Sequence, residues 1–127
     1  MLLYIVEAAI PILTWLFFWA GILALKKNKE KHAKIATIHA VSVWGSYLVV
    51  WILILMGQSL KGNAPRWIVD THLVIIYIIP ALLVFMMISG RKGVRKVHIP
   101  LAVTYTILWA AALVTGAMIF LAHRGYM

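Results

Sequence analysis

Four apolar runs, at about residues 2–25, 36–58, 68–90 and 97–122, fill the chain and leave connections of only about 6 to 11 residues between them. Each run is long enough to cross roughly 30 Å of hydrocarbon as a helix rising about 1.5 Å per residue. Inside a bilayer the backbone must satisfy its own hydrogen bonds, and a helix does so within one segment. The sequence therefore predicts an all-α integral membrane protein, a four-helix up-down bundle spanning 1–127 as a single transmembrane domain. Connections this short force consecutive helices to run antiparallel. The first run starts within two residues of Met1 with no basic leader, and lysines follow it where a cleavage site would need small residues, so it reads as an uncleaved anchor.

Composition removes the main alternatives. With 65% of 127 residues hydrophobic and 12% charged, the chain has too little polar surface to cover a water-soluble globule. The absence of cysteine excludes disulfide frameworks, thiolate metal sites and cysteine nucleophiles, and three Asp+Glu leave little material for hydrolytic acid–base chemistry. The formal charge of +9 is explained by its distribution. Lys26, Lys27, Lys29, Lys31 and Lys34 occupy the first connection, Arg91, Lys92, Arg95 and Lys96 the third, and only Lys61 and Arg66 the second. The positive-inside rule then places the first and third connections in the cytoplasm and both termini on the outer side. Tyr4, Trp67 and Tyr126 fall at depths suited to an interfacial aromatic belt. The charge needs no nucleic acid; anionic lipid headgroups are the expected partners.

Ionisable groups within a membrane are costly, and five histidines sit near the helix ends. On the expected topology His32, His39 and His98 form an inner layer, while His72, opening the third helix, and His123, closing the fourth, form an outer one. His32 and His39 lie seven residues apart, about 20° short of two full turns, so they share one face about 10 Å apart if the second helix begins near Glu30. His98 and His123 are likewise about 20° out of phase. Neutral imidazoles from different helices of an apolar bundle, with no carboxylate or thiol beside them, suit axial ligation of haem iron, and a b-type haem needs no cysteine. Anionic propionates would find Lys34, Arg91, Arg95 and Lys96 on the inner side, and Arg66 and Arg124 on the outer. Ala36, Ala40, Gly45, Ser46, Ala102, Ala112 and Gly116 would leave room for a macrocycle, and equally suit close helix packing. Zinc or copper on the three inner histidines is the competing metal reading.

Other residues carry less. Glu7 suits a proton path, a quinone headgroup or simply a side chain reaching water. Asp70 reads as the N-cap of the third helix, and Pro80 as a kink within it. Met56, Met86, Met87 and Met118 read as packing residues ahead of axial ligands.

The residues from about 30 to 122 resemble a family of small multi-helix membrane proteins, domain of unknown function 420. The likeness rests on the run from His32 through Ala36, on Asp70-Thr71-His72-Leu73 with Pro80 eight residues beyond the histidine, on His98-Ile99-Pro100 followed by Tyr105 and Trp109, and on Thr115-Gly116. It implies that His32, His72 and His98 are shared histidines, with His39 and His123 outside the pattern, and that the protein handles haem or supports haem-copper terminal oxidase biogenesis. A second, architectural likeness is to small di-haem cytochromes b, with one haem near each surface.

These observations lead to two expectations. The first is a b-type cytochrome, an electron carrier more than a bond-making enzyme, with quinol as a candidate donor. It would hold two haems, or one: an inner haem between His98 and either His39 or His32, and an outer haem between His72 and His123. The second is an assembly factor holding haem or copper transiently for terminal oxidase or other respiratory-complex subunits. A small structural subunit of a respiratory complex would leave every histidine unliganded. The expected location is the plasma membrane of a prokaryote.

Overall fold

The computed structural model describes residues 9–25, 27–58 and 62–126. Within them the chain forms four helices: α1 (Ile10–Leu25), α2 (Lys29–Leu55), α3 (Arg66–Arg91) and α4 (Arg95–His123). The expected start of the first run, with Tyr4 and Glu7, and the side chains of Lys26 and Lys61 lie outside the described residues. Three helices, α2, α3 and α4, are long and apolar enough to cross a membrane, which makes this a membrane protein; α1 is apolar but has only 16 described residues. No more than 28% of the apolar window of any of the three is buried, and side chains such as Leu48, Trp51, Val74, Tyr77 and Ile107 stand exposed, as a lipid-solvated surface requires.

The helices begin before their apolar runs do. α2 starts at Lys29, not at 36, because Asn28 caps it: the extended Asn28 (φ −161°) accepts from the Glu30 N–H at 2.8 Å and the Lys31 N–H at 3.4 Å. Hydropathy locates a span, whereas the cap locates a helix, and the 27 residues of α2 reach about 40 Å, beyond the hydrocarbon. His32 is thereby inside the helix. The expectation for Asp70 is corrected. α3 begins at Arg66 after Pro65, whose φ of −52° leads into the helix, and Asp70 sits in its second turn, 3.6 Å from Arg66. Helix α2 stops at Leu55, short of 58, since Gly57 adopts φ 79° and the Gln58 N–H turns back to the Leu53 carbonyl at 3.0 Å. Gly93 (φ 67°) ends α3 the same way, with the Val94 N–H on the Ser89 carbonyl.

Two compact units make up the chain, Met1–Ser59 and Leu60–Met127, each a helical hairpin. In the first, α1 and α2 pack with Thr14 and Phe18 of α1, and His39, Val43 and Leu53 of α2, buried. In the second, α3 buries Ile68, Ile75, Ile79, Leu83, Met86 and Ser89, in steps of three, four and seven. α4 contributes Tyr105, Trp109, Ala112 and Thr115 at the same kind of spacing. That alternation marks a seam between two helices packed along their lengths.

Candidate functional site: imidazoles on the helix seams

Both histidines of α2 face α1. His32 donates from Nδ1 to the Gly21 carbonyl at 2.7 Å, and His39 from Nδ1 to the Thr14 carbonyl, also at 2.7 Å. Each histidine and its partner step by seven residues in opposite directions, which is the antiparallel register of one seam. His39 is 2% exposed with Phe18 beside its ring at 5.4 Å, and His32 is half-buried.

The second hairpin repeats the device once from each helix. His98 of α4 donates from Nδ1 to the Met86 carbonyl at 2.9 Å, and the Ser89 hydroxyl reaches the same oxygen at 3.0 Å. His72 of α3 donates from Nδ1 to the Thr115 hydroxyl oxygen at 2.8 Å, and that hydroxyl in turn donates to the Ala111 carbonyl at 2.8 Å. In both cases a glycine follows the hydroxyl residue and lets the ring lie against the opposing backbone. A Cβ on Gly90 would fall 2.9 Å from His98 Cε1, and one on Gly116 would fall 3.2 Å from His72 Cε1. Ser89-Gly90 under His98 and Thr115-Gly116 under His72 are thus one hydroxyl–glycine cradle used twice. His123 closes α4 against Gly62, where a Cβ would lie 2.7 Å from His123 Nδ1.

The partner fixes the tautomer. A carbonyl only accepts, so Nδ1 of His32, His39 and His98 carries the proton; the Thr115 oxygen, its own proton committed to Ala111, imposes the same on His72. In the neutral ring the lone pair is then on Nε2. An imidazole held by Nδ1–H on a backbone oxygen, with Nε2 as the basic nitrogen, is the arrangement that orients a metal ligand and raises its basicity. Each such ring offers Nε2 as its basic nitrogen, one imidazole at a time, and within neither hairpin do two of them meet as a pair.

Other expected site residues are placed as follows. Lys34 pairs with Glu30 at 3.0 Å across one turn, both exposed, while Arg95 is the exposed first residue of α4. Among the described residues no three of His, Cys, Asp or Glu come together as a metal-binding group. His72 does not open α3 but lies at its seventh position, and Gly45 has nothing within 4 Å of its Cβ direction, so it makes no room beside a histidine. In the register that sets His72 against Thr115, Ile68 and Ile119 occupy the next layer and His123 the one after; Ile68 is wholly buried. Gly21, Thr14 and Ser89-Gly90 were not singled out from the sequence. The available signal was the recurrence of a hydroxyl–glycine pair, at 89–90 and 115–116, on the helix facing each histidine. Comparison with protein-family models, with curated proteins and with solved structures returns no match to this chain.

Proposed function

We propose that this is a membrane b-type haem protein whose axial ligands are the Nε2 atoms of seam histidines, working as an electron carrier. One observation carries the proposal: four imidazoles, His32, His39, His72 and His98, each donate from Nδ1 across the seam of their own hairpin. A packing histidine needs some partner, but nothing in packing requires the same nitrogen four times with backbone or hydroxyl oxygen each time. A bound haem supplies reversible one-electron chemistry. The chain supplies rigid ligands on helices, Nδ1–H donation that tunes them, and an apolar surround that excludes water. Arg95 is suited to a propionate, being cationic, exposed and one turn from His98. A quinol donor and a location in a prokaryotic plasma membrane belong to the same reading.

A specific observation favours a second reading, an assembly factor passing haem or copper to a terminal oxidase, in line with the resemblance to the domain of unknown function 420 family. The buried Ile68 layer separates His72 from His123 within their hairpin, which suits single-histidine, transient holding better than that axial pair. A dithionite-reduced minus oxidised spectrum of the detergent-purified protein, with pyridine haemochrome quantification, tests both. Low-spin b-type haem lost on His98→Ala supports haem binding, and a spectrum also diminished by His123→Ala selects the cytochrome. No haem after expression with ample haem supply overturns the cytochrome and moves the weight to an assembly or structural subunit.

A further inference from the structure

The turn joining α3 to α4 holds Arg91, Lys92, Arg95 and Lys96, all exposed. The two described acids are engaged elsewhere, Glu30 with Lys34 at 3.0 Å and Asp70 with Arg66 at 3.6 Å, so no described carboxylate balances these four cations. Beside them α4 carries a shallow, open depression lined by Arg95, Lys96, Ile99 and Pro100: two cations above an apolar floor. Its direction sets it apart from the histidine seam. At about 100° per residue, the mean direction of these four side chains lies about 130° around α4 from His98. Ile99 is 55% exposed, so the floor opens outward onto the apolar surface of the span.

A ligand for this place needs an anionic group at the membrane surface and a hydrocarbon portion running down the helix. We propose that the Arg95–Lys96 depression binds an anionic phospholipid, the phosphodiester held by Arg95 and Lys96 and the first acyl carbons lying over Ile99 and Pro100. A free phosphate would leave the apolar floor unused, and a propionate of a haem ligated by His98 would meet Arg95 but not Lys96 on the far side of the helix. Arg95 borders both places, about 60° around α4 from His98, and Lys96 and Pro100, each about 160° from it, set the lipid site apart from the seam.

Native mass spectrometry of the whole chain in mild detergent tests it, with palmitoyl-oleoyl phosphatidylglycerol, phosphatidylcholine of the same chains, and glycerol phosphate as separate probes. One phosphatidylglycerol should be retained per chain in preference to phosphatidylcholine and glycerol phosphate. The double variant Arg95→Gln with Lys96→Gln should retain it about thirtyfold less, from two lost phosphate contacts. Lys29→Gln with Lys31→Gln, which removes the same charge from the first unit, should change retention by less than about threefold, since neither side chain lines the depression. Far-UV circular dichroism confirms that each variant folds. Equal losses in both double variants would reduce the site to diffuse attraction, and equal retention of phosphatidylcholine or of glycerol phosphate would remove the lipid. Loss of haem, with phosphatidylglycerol retained, on substituting Arg95 and Lys96 would return these residues to a propionate.

Discussion

Replacing Gly90 by alanine places a methyl group 2.9 Å from Cε1 and 3.0 Å from Nδ1 of His98, nearly 1 Å inside ordinary contact. The ring cannot yield freely, because its Nδ1–H is on the Met86 carbonyl at 2.9 Å with the Ser89 hydroxyl on the same oxygen. Overpacking costs about 1–3 kcal/mol. Losing the half-buried hydrogen bond costs about 1 kcal/mol more. Against this, alanine improves a helix interior over glycine by about 0.5–1 kcal/mol. The net expectation for Gly90→Ala is a destabilisation of about 1–3 kcal/mol. Gly45→Ala, in α2 with nothing within 4 Å, should keep only the propensity gain of about 0.5–1 kcal/mol. The assay is equilibrium unfolding in mixed micelles followed by far-UV circular dichroism, with ¹⁵N-histidine chemical shifts reporting the Nδ1 proton. A double-mutant cycle isolates the contact: in a His98→Ala background Gly90→Ala should lose its penalty, since the ring it strikes is gone. Gly90→Ala behaving like Gly45→Ala, or keeping its cost without His98, would refute the cradle.

The remaining expectations use the same reasoning. Gly62→Ala combines a φ of 50° with a Cβ 2.8 Å from the His123 backbone, which cannot rotate away, so it should destabilise by about 2–4 kcal/mol in the same unfolding assay. Thr115→Val keeps the shape but removes the oxygen that accepts from His72, and should cost about 1–3 kcal/mol and shift the His72 Nδ1 resonance, while Thr115→Ser retains both.

Three helices long and apolar enough to span a membrane were legible in the sequence because hydrocarbon acts on each segment by itself: length and apolarity suffice, whatever the segment packs against. The helix starts were less so. The apolar run of the second helix begins at 36, but capping by Asn28 sets its start at Lys29, and the Asp70 expectation failed because Pro65 and Arg66 begin the third helix earlier than its hydropathy does. The histidines were legible as candidates, since an imidazole at membrane depth demands a reason. What each one does was not. His32 meeting Gly21, His39 meeting Thr14, and His72 and His98 meeting Thr115 and the Met86 carbonyl depend on the register between two helices. Register is a property of the packed pair: it settles when side chains on both helices interdigitate, and neither strand of the sequence contains it alone. The sequence by itself thus determined which segments are long and apolar enough to cross a membrane and which residues could carry chemistry. Only the tertiary structure decided which nitrogen each imidazole commits and which it keeps, because that choice is made by a carbonyl or hydroxyl on the other helix.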